Sequence, residues 1–262
     1  MTSASPSASV QAERQLPLDG RTAVVTGGSG GIGSEICRHL AQAGAKVVFT
    51  YRTGREAAQR LQAALPGGGH WARQVAVDDS PGLKSLAAEV ESKHGRCDVL
   101  VNCAGITRFV AHADLDALDD GIIDDIFRVN WRGAFAAVRA FRPLLEASGD
   151  GLVVNISSIA GVTGMGSNVA YCASKAALDS MTKSLARALA PEIRVVSVSP
   201  GLVDIDFVKG LDQKWRDEQA ARTPLRRLAT PGEIGAAVLA VASVLKYSNG
   251  CIIPVDGGRP LT

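Results

Sequence analysis

Short apolar runs alternate with stretches of helical periodicity along almost the whole of this chain. That alternation restricts the possible folds more than any other feature. The runs are Thr22–Thr26, Lys46–Tyr51, Trp71–Val77, Val99–Cys103, Leu152–Ser157, Arg194–Ser199 and Cys251–Val255. Some, such as VLVNCA and LVVNIS, are apolar without a break, as strands covered on both faces are. Helical patterns fall between them at Ile32–Ala43, Arg55–Leu65, Pro81–His94, Ile122–Ala147, Val169–Ala190 and Pro231–Val244. A strand, a right-handed helical crossover and a parallel neighbour, repeated, build a doubly wound sheet. The expected fold is therefore α/β: a Rossmann-like, doubly wound sheet of seven parallel strands with helices on both faces.

No internal linker interrupts this order, so residues 17–262 are expected to form one domain. Residues 1–16, rich in Ser and Ala, read as a disordered tail, and they lack the apolar segment of a signal peptide. The polar stretch 204–223 is read as a helical excursion over the carboxyl edge of the sheet, where substrate lids sit. A net charge of +2 with scattered basic residues argues against nucleic acid as a partner. No apolar run approaches the ~20 residues of a membrane span. Cys37, Cys97, Cys103, Cys172 and Cys251 form no CxxC pair and are odd in number, which disfavours a metal site or disulfide framework and favours a cytoplasmic location. His39, His70, His94 and His112 are read as surface or packing residues, and Asp124 and Asp125 as a solvated helix face.

The turn TGGSGGIG, Thr26–Gly33, lies between the first strand and the first helix. Helix N–H groups and the positive end of the helix dipole meet an anion at such a junction. Glycine permits positive φ and lets a pyrophosphate approach the backbone. Gly27, Ser29, Gly31, Ile32 and Gly33 are accordingly candidate cofactor contacts.

The spacing Gly27-x-x-x-Gly31-x-Gly33 differs from GxGxxG and resembles that of the short-chain dehydrogenase/reductase family. NCAG at Asn102–Gly105 is similar to the family's NNAG, with Cys103 in place of the second Asn. Asn130 in RVNWRGAF, Ser158 in NISSIAG, and Tyr171 and Lys175 in YCASK match the catalytic tetrad. Pro200-Gly201 and the VDGG of Val255–Gly258 complete an ordered set that spans nearly the whole chain. The resemblance implies interconversion of a ketone and a secondary alcohol by hydride transfer.

In that reading Tyr171 is the general acid/base. A phenol in water titrates near about 10; a cation beside it favours the phenolate, and Lys175 falls one helical turn on, on the same face. The resemblance further implies that Lys175 holds the nicotinamide ribose, that Ser158 binds the substrate oxygen, and that Asn130 anchors a water leading from the lysine to solvent. It adds Asn102, Ala104, Gly105, Pro200, Gly201 and Val203 to the cofactor residues, with Asp78 as acceptor for the adenine amino group. Tyr51 stands where NAD-preferring relatives carry an aspartate and Arg52 follows, so NADP(H) is favoured over NAD(H). Ile205 occupies the place of a threonine that holds the nicotinamide carboxamide in many relatives.

The overall likeness is to the branch of 3-oxoacyl-carrier-protein reductases. Glu146, Asp150 and Glu192 stand where such reductases carry basic residues, with Arg139, Arg142 and Arg187 as compensation, so a free carbonyl substrate is expected ahead of a carrier thioester. Gly164, Met165, Gly166 and Val169 are expected to line the pocket and to suit apolar bulk near the carbonyl. A nucleotide-binding sensor that has lost its chemistry is the different-class alternative, and the intact tetrad argues against it. The two long helices are expected to pair between subunits, as in the family's homotetramers, with a homodimer as the smaller possibility.

Overall fold

The strands form in the expected order. In a computed structural model, which describes residues 15–205, 208, 210 and 212–261, they are β1 Thr22–Thr26, β2 Lys46–Tyr51, β3 Trp71–Gln74, β4 Val99–Asn102, β5 Gly151–Ile156, β6 Ile193–Pro200 and β7 Ile252–Val255. All neighbours pair in parallel, in the order β3-β2-β1-β4-β5-β6-β7. The order reverses at β1, which lies between β2 and β4, so a crevice opens at their carboxyl ends. The expected tail falls outside the described residues up to residue 14, as do 206, 207, 209 and 211 of the expected lid.

Period-two alternation sorts the strand side chains into two cores. Ala23, Val25, Phe49, Val101 and Val154 point to one face. There they meet α1 (Gly31–Gln42), α2 (Arg55–Ala64) and α9 (Pro231–Ser243). Val24, Val48, Leu100 and Val153 point to the other, against α3 (Ser80–His94) and α5 (Ala134–Ala147). Each fully buried Leu or Phe contributes about 1.5–3 kcal/mol; Phe49, Leu100 and Phe141 are all 0% exposed. α7 (Val169–Ala188) packs beside α5, closing a smaller cluster of Ala134, Leu178 and Met181.

The structure departs from the sequence expectation in two elements. β3 ends at Gln74 rather than Val77, because the chain turns there and the Asp79 amide bonds the Ala76 carbonyl. The long helix expected over Ile122–Ala147 is α4 (Asp120–Phe127), a π-helical turn (Arg128–Gly133) and α5. Gly133 ends that turn in close contact with Val77: a Cβ on it would stand 2.8 Å from Val77 Cγ2. Of the expected lid, α8 (Gln213–Arg222) is described.

Candidate active site

The glycine turn is pinned at both sides of the crevice. Thr50 Oγ1 accepts from the Gly27 amide at 3.1 Å, tying it to β2. Thr26 Oγ1 accepts from the amides of Cys103 and Ala104 at 3.1 and 3.2 Å, tying β1 to the NCAG turn. Gly27 has φ +66°, and a Cβ there would lie 2.8 Å from Ala104 Cα. A Cβ on Gly33 would collide with the Gly27 carbonyl oxygen. Two glycines of the turn are therefore dictated by the backbone before any ligand arrives.

At the head of α1 the N-cap is Gly30, with no side-chain cap and no acid in the first turn. Asp79, Asp119, Asn168 and Thr230 instead cap α3, α4, α7 and α9 with their side chains. The α1 donors, presented on a glycine turn beside the crevice, fit the diphosphate of a dinucleotide. Ser29 and Ile32 flank this uncapped end. Arg52 and Arg55 are exposed near the end of β2 and make no ion pair among the described residues. Asp78 is engaged by Arg128 at 3.0 Å through Oδ2.

Opposite the glycine turn, Pro200 accepts through its carbonyl from the Ile159 amide at 3.0 Å, and the Gly201 amide donates to Val255 at 3.0 Å. Val203 bridges to Ala229, and its carbonyl accepts from the Ile205 amide at 2.9 Å. Ile205 leans over the glycine turn, so that a Cβ on Gly31 would be 3.0 Å from its Cγ2. An apolar branch thus covers this part of the turn.

The tetrad residues come together where β4, β5 and α7 meet. Lys175 is 6% exposed, donates from Nζ to the Ile156 carbonyl at 2.8 Å, and lies 5.7 Å from the centroid of the Tyr171 ring. Tyr171 sits in the first turn of α7. Asn168, three residues earlier, caps it: its Oδ1 accepts from the Tyr171 amide at 2.7 Å and its Nδ2 donates to the Arg108 carbonyl at 2.6 Å. Ser158 follows β5, and its Oγ accepts from the Ala160 amide at 3.2 Å, at the head of α6 (Ala160–Thr163).

Asn130 lies in the π-helical turn, whose widened backbone re-aims the side chain out of the α4–α5 helical line. It grips Ile106 from both sides, accepting its amide at 2.8 Å and donating to its carbonyl at 3.0 Å. It also donates to Ser174 Oγ on α7 at 3.1 Å. A Cβ on Gly105 would lie 3.3 Å from Asn130 Oδ1 and 3.8 Å from Lys175 Nζ, so this glycine leaves the space before the lysine open. Cys103, the departure from NNAG, has its thiol pushed up to about 12 by burial, with Lys175 pulling the other way. It is a neutral small group there.

Beneath the site runs a polar row that the motifs do not announce. Thr26, Asn102, Asn155 and Ser197 are in register across β1, β4, β5 and β6. Asn102 Nδ2 donates to Asn155 Oδ1 at 2.8 Å, Asn155 Nδ2 donates to Thr182 Oγ1 at 2.8 Å, and Thr182 Oγ1 shares a hydrogen with Ser197 Oγ at 2.9 Å. Thr26, Thr50 and Asn168 are site-building residues that sequence reasoning missed. An Asn-x-x-Tyr spacing before a helical run is a capping signal that would have found Asn168.

The expectation about Glu146, Asp150 and Glu192 is corrected. Asp150 and Glu192 precede β5 and β6, and Glu146 ends α5, so all three lie at the amino edge of the sheet, opposite Ser158. Parallel strands place their starts together and far from their ends. Asp150 is also neutralised by Arg21 and Lys246 at 3.1 and 3.0 Å, and Glu146 by Arg142 at 2.6 Å. These acids do not bear on a carrier at the site mouth.

Comparison with known proteins agrees with this geometry. A family model described as enoyl-(acyl carrier protein) reductase matches residues 27–259. The chain is 34% identical over 247 residues to the 3-oxoacyl-(acyl-carrier-protein) reductase FabG of Thermotoga maritima, covering 93% of this chain and 99% of that protein. It is 37% identical over 243 residues to the cis-4-hydroxycyclohexanecarboxylate dehydrogenase of Sinomonas cyclohexanicum, covering 91% and 96%. A short-chain dehydrogenase/reductase structure from Brucella melitensis, titled glucose/ribitol dehydrogenase, superposes with a TM-score of 0.87 at 30% identity over 94% of this chain and 99% of that one. The chain belongs to the short-chain dehydrogenase/reductase family. It is an oxidoreductase acting on CH–OH donors, similar to the 3-oxoacyl-carrier-protein reductases, and its family uses nicotinamide cofactors. No helix among the described residues is long and apolar enough to cross a membrane.

Proposed function

We propose that this protein reduces a free ketone to a secondary alcohol with NADPH, and that Tyr171, Lys175, Ser158 and Asn130 carry the chemistry. The single observation that supports this most is the buried Lys175 ammonium 5.7 Å from the Tyr171 ring. Gly27, Ser29, Gly31, Ile32 and Gly33 would hold the diphosphate. Asn102, Ala104, Gly105, Pro200, Gly201 and Val203 would line the nicotinamide end, and Asp78 the adenine end. Arg52 would pair with a 2′-phosphate. A bound reduced nicotinamide supplies the hydride that adds to the carbonyl carbon.

The protein's own groups do the rest. Ser158 donates a hydrogen bond to the carbonyl oxygen and stabilises the charge that develops there. Tyr171 passes its phenolic proton to that oxygen. Lys175 stabilises the phenolate that remains, and Asn130 holds the Ile106 segment and the path by which a proton returns. Phe109, Val162 and Met165 are 67%, 73% and 56% exposed near this mouth, which suits a substrate with apolar bulk beside its carbonyl.

A carrier-protein thioester is the second reading. It is favoured by the location of Asp150 and Glu192 at the amino edge, which removes the electrostatic objection to an acidic carrier. Turnover of free cyclic and linear ketones and of acetoacetyl-carrier protein, followed by NADPH and then NADH absorbance, decides between them. A Tyr171→Phe variant should lose at least about a thousandfold in kcat with every substrate. Survival of its turnover would refute the assigned chemistry.

A further inference from the structure

A phenol that passes a proton to substrate has to stand in one place, so the ties on the Tyr171 backbone matter. Its amide donates to Asn168 Oδ1 at 2.7 Å, and Asn168 Nδ2 donates to the Arg108 carbonyl at 2.6 Å. Its carbonyl accepts from Ser174 Oγ at 2.8 Å, three residues further along α7. The mechanism above gives Ser174 no part. It is 0% exposed, and its oxygen also accepts from Asn130 Nδ2 at 3.1 Å.

A serine hydroxyl has one hydrogen to give and lone pairs to receive others. In Ser174 the hydrogen is committed to the Tyr171 carbonyl, so the oxygen faces Asn130 as an acceptor. Asn130 is buried too, and all of its carboxamide is engaged. Its oxygen takes the Ile106 amide, one N–H goes to the Ile106 carbonyl, and the other goes to Ser174. A buried N–H without an acceptor is costly, so this carboxamide shifts if the Ser174 oxygen is removed. Ile106, Asn130, Ser174 and Tyr171 thus form one chain of hydrogen bonds. It runs from the segment after the NCAG turn, through the π-helical turn, to the first turn of α7. Asn168 closes the same circuit through Arg108. Both the amide and the carbonyl of Tyr171 are fastened to residues 106–108.

We propose that Ser174 is a positioning residue acting through Asn130: its oxygen fixes the orientation of the Asn130 carboxamide and so couples the π-helical turn to the backbone that carries the Tyr171 phenol. The proposal rests on the reading of Tyr171, Lys175 and Asn130 as parts of the reacting site. Ser174 is fully buried and meets neither substrate nor cofactor. Its loss therefore slows the chemical step and leaves binding as it was.

The test is steady-state ketone reduction by Ser174→Ala, Ser174→Cys and Ser174→Thr, each assayed well below its Tm, with NADPH affinity measured by fluorescence. Ser174→Thr keeps an accepting oxygen in a larger side chain, Ser174→Cys keeps a weak acceptor, and Ser174→Ala keeps none. In Ser174→Ala kcat should fall about tenfold, with KM and the NADPH Kd within about twofold of wild type. Ser174→Thr should stay within about threefold of wild type in kcat whatever its Tm, with Ser174→Cys between the two. Ser174→Cys supplies the comparison should Ser174→Ala not fold. Added to Asn130→Ala, Ser174→Ala should change kcat by less than about twofold. The proposal is overturned by an unmoved kcat in Ser174→Ala, by a loss confined to KM, or by Ser174→Thr as slow as Ser174→Ala. An undiminished loss on top of Asn130→Ala overturns it equally. A wild type without turnover, or a Tyr171→Phe variant that retains it, instead removes the reading beneath, and the proposal falls with it.

Discussion

Asn168 shows what one residue contributes to a site without touching substrate. Its carboxamide joins the first turn of the helix that carries Tyr171 to the Arg108 carbonyl of the segment gripped by Asn130. Replacing it by Ala removes a helix cap and leaves the half-buried Arg108 carbonyl without this donor. The expected loss is about 1–2 kcal/mol of stability. A fall of roughly tenfold in kcat/KM should accompany it, because a displaced phenol loses alignment. Thermal melts and steady-state kinetics on Asn168→Ala check both. Tyr171 and Lys175 are legible from spacing, since four residues make one turn. Asn168 is legible only as a capping pattern. The burial of Asp179, 5% exposed on α7, is not legible at all, because one acid in an amphipathic helix looks solvated until the helix is laid on the sheet.

Among the elements, α9 carries the most explicit terminal design. Thr230 and Glu233 form a reciprocal capping box, and Arg227 donates twice to the same carboxylate. These contacts, the Arg227 hydrogen bond first, hold the Glu233 carboxyl down at about 2. A carboxyl depressed in the folded state stabilises the fold above its ordinary value and loses that contribution as pH falls through the folded one. Its share should therefore be complete above about pH 4.5 and gone below about pH 2. Glu233→Gln should lower Tm at pH 7 by about 2–4 °C. The difference from wild type should vanish across that acid window, as calorimetry at a series of pH values would show. Equal Tm values at pH 7 would contradict it. The α4–α5 line gives the opposite lesson. Its apolar periodicity reads as one helix, yet Gly133 packed against Val77 coincides with a π-helical turn, and that turn is what aims Asn130.

At the scale of the whole molecule, α5 keeps one large aromatic side chain partly exposed after the domain has folded. Phe135 remains 36% exposed and stacks on Trp131 with centroids 5.9 Å apart. Leu178 and Met181 are already buried beneath Trp131, so Phe135 is the apolar side chain left exposed there. A second copy is the occupant we expect there, giving a homotetramer, with a homodimer as its half. Light scattering on wild type should return four chains, and Phe135→Asp should shift the mass toward fewer. A wild type that is monomeric at micromolar concentration would end this expectation.

The sequence by itself determined the layered parallel fold, because runs of apolar residues with periods of two and of 3.6 leave no other way to bury both faces of the sheet. It also marked Asn130, Ser158, Tyr171 and Lys175 as candidates, and the four-residue spacing alone puts Tyr171 and Lys175 on one helix face. Tertiary structure decided what depends on neighbours distant in the chain: which edge of the sheet the acids Asp150 and Glu192 occupy, how the Asn130 turn is widened, and how deeply Asp179 is buried once its helix lies on the sheet. Local periodicity records which way a side chain points along its own element. It carries no information about the group that comes to meet it from another.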